Sequence, residues 1–342
     1  MTSTRALNAV ALALVALATG VIAWRNVDRA APIQLLNVSY DPTRELYQQL
    51  NPLFVATYER ASHTRVTIKQ SHAGSSRQAR SVIDGEQVAD VVTLGLVSDI
   101  QGLQRRGLIA ADWAERLPNH AQPYHSTIVF VVRHGNPLAL HDWPDLITPG
   151  VEVITPDPLS SGNGKLAALA AWGAIVTRGG SEVEARSYLK ALYEHAPFLE
   201  AGARATALAF AVEKLGHVNL TWENEALREV SESKGELEIV YPPLSILAEP
   251  VVAWVDRNVT AHHSEAVARA YLEFLFTPEA QEVIAQNGYR PSDPKVLAKY
   301  AARFAQTNLF PITAIARDWD DAQQRFFAED GIISTVYRPK PR

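Results

Sequence analysis

Short apolar or β-branched runs alternate along this chain with stretches of helical periodicity. No other feature restricts the fold as much. Ile33–Val38, Arg65–Lys69, Val91–Leu94, Val151–Thr155 and Val218–Trp222 are runs of the kind that form buried strands in parallel sheets. Helical spacing follows most of them. Leu46, Tyr47, Leu50 and Phe54 share one face, as do Leu166, Leu169, Ala170 and Gly173, and Tyr271, Leu272, Leu275 and Phe276. Alternation of this kind predicts doubly wound α/β layers. Such sheets bind ligands beyond the carboxyl ends of their strands, at the loops leading into helices.

With 342 residues the chain is long enough for two such units. Pro- and polar-rich passages at 118–123 and 241–250 divide it into an N-terminal part, a middle part and a C-terminal return. They read either as two crossings between hinged lobes or as two ordinary long loops. The 32 Lys and Arg against 37 Asp and Glu leave a net charge of −5. That argues against a nucleic-acid partner, whose counterions only a surplus of cations displaces. Cysteine is absent and Met1 is the one methionine, which excludes disulfides, thiolate metal sites, a cysteine nucleophile and a lipid-modified cysteine anchor. The sulfur-poor composition reads either as codon bias or as a protein made when sulfur is scarce.

After Arg5 the stretch Ala6–Trp24 is almost wholly apolar, with small residues before Trp24. A basic start, an apolar run and Val21 and Ala23 at the small-residue positions predict an export signal, residues 1–23, cut after Ala23. The run is also about long enough to span a bilayer, so an uncleaved anchor is the alternative. Either way the body is exported, which places it in the periplasm if the source is bacterial.

Four loops are rich in small residues: Ser39–Thr43, Ser71–Ser76, Ser160–Gly164 and Ala201–Ala203. A helix that begins in such a loop presents unpaired N–H groups and the positive end of its dipole, a natural anion site. Taken singly, each loop reads as readily as a helix cap, with Thr43, Ser76 and Ser161 as the capping residues.

The segments LLNVSYDPTREL (35–46), QSHAGSS (70–76), ADVVTL (89–94), STIVFVVRHGNP (126–137), VITPDPLSSG (153–162), AAWG (170–173), GAR (202–204), TWENEAL (221–227) and SILAEPVV (245–252) resemble periplasmic sulfate-binding proteins. The likeness runs in order from about residue 33 to 330. It implies a two-lobed periplasmic-binding-protein fold of type II, each lobe a mostly parallel sheet flanked by helices. Lobe 1 is then 33–122 plus 246–330, lobe 2 is 123–245, and 331–342 is a fraying tail. The implied function is capture of sulfate, or thiosulfate, by a monomer that delivers it to the permease and ATPase of an ABC importer, with no cofactor, metal or catalysis. The implied ligand contacts are Ser75, Ser161, Gly162, Asn163, Ala203 and Trp222, supported by Tyr40, Asp41 and Arg204. Asn163 and Lys165 stand where that family usually has Gly and Arg, and a backbone N–H at Asn163 keeps its geometry only with negative φ. The alternatives are a relative that binds molybdate, tungstate or phosphate, and an exported enzyme acting on sulfur oxyanions.

The donor types fit a fully ionised dianion. Backbone N–H and serine O–H can donate to it, and an indole N–H can only donate. Hydrogen phosphate carries a proton that needs an acceptor, so a site of donors disfavours it. Trp222 also reads as core, Glu223 and Glu225 as helix-capping carboxylates, and Arg204 as half of an ion pair at the cleft edge. The tandem His262-His263 reads as a surface loop and His72 as structural. Around Lys165 the P-loop spelling fails, with Leu159 in place of its first glycine and Leu166 in place of Ser/Thr.

Overall fold

The computed structural model describes residues 14–21 and 31–337. Thirteen strands organise the chain: β1 Ile33–Tyr40, β2 Val66–Ala73, β3 Val91–Leu94, β4 Tyr124–His125, β5 Ile128–Arg133, β6 Val153–Pro156, β7 Phe198–Glu200, β8 Val218–Trp222, β9 Leu237–Val240, β10 Leu244–Ile246, β11 Val251–Trp254, β12 Arg290–Pro291 and β13 Asn308–Phe310. Two sheets carry the architecture. The first has the order β11-β3-β1-β2 and the second β7-β6-β8-β5-β9.

Within the first sheet β1 runs parallel to β2 and β3, and β11 returns antiparallel beside β3. In the second, β6 is parallel to β7 and β8, while β5 is antiparallel to both β8 and β9. All four residues of β3, β6 and β11 and all five of β8 are buried, as strands covered by helices on both faces must be. The helix Arg44–Ser62 buries Leu46, Tyr47, Leu50 and Phe54, the face expected from their spacing. The helix Gly162–Val176 is buried all round from Gly162 to Ala174. Gly173 is essential to its packing, because a β-carbon there would sit 2.0 Å from the Phe310 ring.

The chain passes between the sheets before β5 and after β9, and the two passages lie side by side. Ser126 and Ala248 exchange both backbone hydrogen bonds at 2.9 Å, Thr127 Oγ1 donates to the Ile246 carbonyl, and Ser245 Oγ donates to the Ile128 carbonyl. A third passage follows, where β13 pairs with β10. Beyond it the helix Trp319–Phe327 packs Phe326 edge-on to Trp172, Arg325 pairs with Glu182, and Asp320 pairs with Arg105 on the first-sheet side. Residues Ile332–Val336 form a last short turn of helix with Ile332 and Ile333 buried, so the expected tail starts as packed structure.

At the other end residues 14–21 are helical and exposed. The expected signal cleavage after Ala23 lies outside the described residues. Among the described residues no helix is long and apolar enough to cross a membrane.

Candidate functional site

The carboxyl ends of β1, β2, β6 and β8 all turn into helices, and their loops meet. One small cavity is lined by Tyr40, Asp41, Pro42, Gly74, Ser75, Ser161, Gly162, Asn163, Ala203 and Trp222. All six ligand contacts implied by the sequence are in this set, together with Tyr40 and Asp41. The space is tight, with room for a solute of very few atoms.

Two glycines allow the closeness. A β-carbon on Gly162 would lie 3.1 Å from Ser75 Cβ, and one on Gly74 would lie 3.1 Å from the Ser160 carbonyl. Each position lets a loop of the first sheet touch a loop of the second. Gly74 is also the N-cap of the helix Ser75–Ile83. Ser76, expected as a cap, instead lies inside the first turn, two residues past the Gly74 N-cap.

The donors follow from helix geometry. Ser75, Gly162, Asn163 and Ala203 occupy the first turns of the helices Ser75–Ile83, Gly162–Val176 and Ala203–Ala207. First-turn N–H groups have no intrahelical carbonyl to meet, and the positive helix ends favour an anion. Asn163 has ordinary helical backbone and not a positive φ, so its N–H points as a glycine's would. Its Nδ2 donates to the Leu220 carbonyl at 3.0 Å, tying this helix to β8, while its Oδ1 is buried without a partner.

The two serines differ. Ser75 Oγ donates to Asp99 Oδ2 at 2.6 Å and accepts from the Gly95 N–H at 2.9 Å, so its hydroxyl is committed and its backbone N–H is the free donor. Ser161 is the reverse. Its N–H donates to the Asp157 carbonyl at 2.9 Å, and its Oγ, an N-cap, is engaged only at 3.4 Å by the Gly164 N–H. The Ser161 hydroxyl is therefore available.

Trp222 ends β8 as the N-cap of the helix Glu223–Glu232 and is 1% exposed. Its ring lies tilted at 49° to that of Tyr40 with centroids 5.4 Å apart, and a β-carbon on Gly95 would meet it at 3.3 Å. Among the described residues no protein acceptor bonds to its indole N–H.

Among the described residues no Lys, Arg or His lines the cavity. Its one carboxylate, Asp41, has Arg44 3.8 Å away, and burial holds its pKa above the usual carboxylate range. Arg204 lies outside, gripping both oxygens of Glu45 at 2.8 Å, the ion pair expected at the cleft edge. His72 lies in β2 beside the cavity, and burial, with help from Arg44, pushes its pKa down to about 4. His262 bonds Asp90 at 2.9 Å, and among the described residues no group of three acidic or histidine side chains could hold a metal. Asp99, Gly95 and Pro42 were not legible as site residues.

Two α/β sheets joined by adjacent passages, with helix N-termini from both sides converging on one small cavity, have the architecture of a solute-binding protein. Comparison with known proteins agrees. Residues 36–290 match the bacterial extracellular solute-binding protein family. The sulfate-binding protein of Salmonella typhimurium is 47% identical over 309 residues, covering 90% of this chain and 94% of its own. The thiosulfate-binding protein of Pseudomonas aeruginosa is 43% identical over 307 residues, covering 89% and 92%. The solved structure of the sulfate-binding protein SubI from Mycobacterium tuberculosis superposes with a TM-score of 0.77 at 30% identity, over 86% of this chain and 99% of that one. The chain belongs to the sulfate-binding family of extracellular solute-binding proteins.

Proposed function

We propose that this protein captures sulfate, and thiosulfate as a dianion of similar outline, in the periplasm and delivers it to the membrane permease and ATPase of an ABC importer. The supporting observation is the convergence, on a cavity without a cationic side chain, of unpaired N–H groups from three helix N-termini with the Ser161 hydroxyl and the Trp222 indole. In this reading Ser75, Gly162, Asn163 and Ala203 donate through the backbone, and Ser161 and Trp222 through side chains. Tyr40 and Asp41 shape the wall, and Arg204 links the lobes through Glu45. The lobes are 33–122 with 246–330, and 123–245, the last helices touching both. The export segment is removed after Ala23 and the protein acts as a monomer.

Capture needs no covalent step. It needs a closed form that binds the anion better than an open one, and donors supplied by both lobes provide that difference. Fixed N–H and O–H dipoles hold a desolvated dianion strongly, since bonds to a charged acceptor are about twice as strong as neutral ones. Neutral donors leave no strong ion pair to break on release. The sulfur-poor composition suits a protein made during sulfur shortage. Titration of the purified protein with sulfate and thiosulfate by calorimetry tests the reading: saturable one-to-one binding supports it, and no heat with either anion refutes it.

A further inference from the structure

A groove of about 760 Å³ adjoins the anion cavity, sharing Asp41 and Gly74 with it. One wall carries His72 and Arg77 from the first-sheet side, and the other carries Arg204, Arg228 and Lys234 from the second. Most of the groove's charges are already matched. Arg204 is held by Glu45, Arg228 by Glu225 and Glu232, and Glu236 by Lys214. His72 is neutral at physiological pH.

Two exposed cations remain. Among the described residues neither Arg77 nor Lys234 forms an ion pair, though each lies within electrostatic reach of one carboxylate, Asp41 and Glu236 respectively. They stand on opposite walls of the groove, and among the described residues no cation lines the cavity that it adjoins.

Resting on the sulfate reading above, we propose that Arg77 and Lys234 are steering residues, which draw the dianion into the groove without touching it once bound. The whole chain carries −5 and repels a dianion at long range. Four carboxylates also line the groove, but Glu232 and Glu236 are paired, Asp41 has Arg44 beside it, and burial pushes the Glu229 pKa up to about 8. The two exposed cations therefore leave a small positive surplus, and local charge opposite to the ligand's raises association rates. The effect acts on exposed charges and fades with salt, because the Debye length falls from about 30 Å at 0.01 M to about 3 Å at 1 M.

Stopped-flow tryptophan fluorescence of the full protein with sulfate tests this, comparing wild type with Arg77→Ala, Lys234→Ala, the double variant and Arg77→Glu. At ~10 mM ionic strength the double variant should associate at least about threefold more slowly, and Arg77→Glu more slowly than Arg77→Ala, with unchanged dissociation rates. The difference should vanish by ~0.5 M salt. Unchanged association, or a change confined to dissociation, overturns the proposal. Wild type that binds no sulfate would instead overturn the functional reading beneath it.

Discussion

Trp222 is the sharpest probe of a site built from uncharged donors, because its indole can offer only one hydrogen bond and, among the described residues, offers it to no protein group. Replacing it by Phe keeps an aromatic ring against Tyr40 and Gly95 but deletes the N–H. A hydrogen bond to a charged group contributes about 1.5–3 kcal/mol, so the dissociation constant for sulfate should rise roughly 10- to 150-fold. The smaller ring also leaves a void in a side chain that is 1% exposed, which lowers the stability of the free protein by roughly 1–3 kcal/mol. That loss falls on ligand-free and ligand-bound forms alike and largely cancels in the binding constant. Calorimetry reads the affinity directly, and thermal unfolding without sulfate measures the packing loss separately. A dissociation constant within about twofold of wild type would mean that the indole does not reach the anion.

Ser161→Ala removes the hydroxyl left free by its weak 3.4 Å cap and should weaken sulfate binding at least about tenfold by calorimetry; no change would remove that hydroxyl from the site. Arg204→Ala should weaken binding by no more than about fivefold, since Arg204 and Glu45 are each 37% exposed and such pairs contribute ~0.2–1 kcal/mol; a hundredfold loss would mean that a formal charge holds the anion. Glu229, buried beside Asn219, has its pKa pushed up from 4.5 to about 8 by desolvation. The fold therefore keeps a proton that the unfolded chain releases, and stability falls between those two pH values. Glu229→Gln should thus raise the melting temperature by several degrees more at pH 8 than at pH 5, on the order of 2–4 °C for each kcal/mol regained; an equal gain at both pH values would contradict the buried, protonated carboxyl.

Local pattern made β3 and β8 legible to the residue, and β1, β2 and β6 to within a few positions, because each is a buried run bounded by turn residues. β9, β10 and β13 are short and partly exposed, so they carry little periodic signal. Ser161 was visible as a cap, since the loop and helix around it are contiguous. Ser76 does not cap its helix, which starts two residues earlier at Gly74, where a loop of the other sheet approaches through the Ser160 carbonyl. The division of labour between the serines was invisible for the same reason: Asp99, which engages the Ser75 hydroxyl, lies 24 residues away. The family resemblance supplied the site as a set. Only the fold shows that Asn163 keeps a glycine-like N–H and that Arg204 spends its charge on Glu45.

Competition between sulfate and phosphate near neutral pH tests donor-based capture most directly. Hydrogen phosphate matches sulfate in shape and charge but brings a proton that needs an acceptor. Equimolar phosphate should leave the sulfate isotherm unchanged from pH 6 to pH 8. Displacement of sulfate by phosphate at equal concentration would show that the cavity receives that proton, and that neutral donors are not what selects the anion.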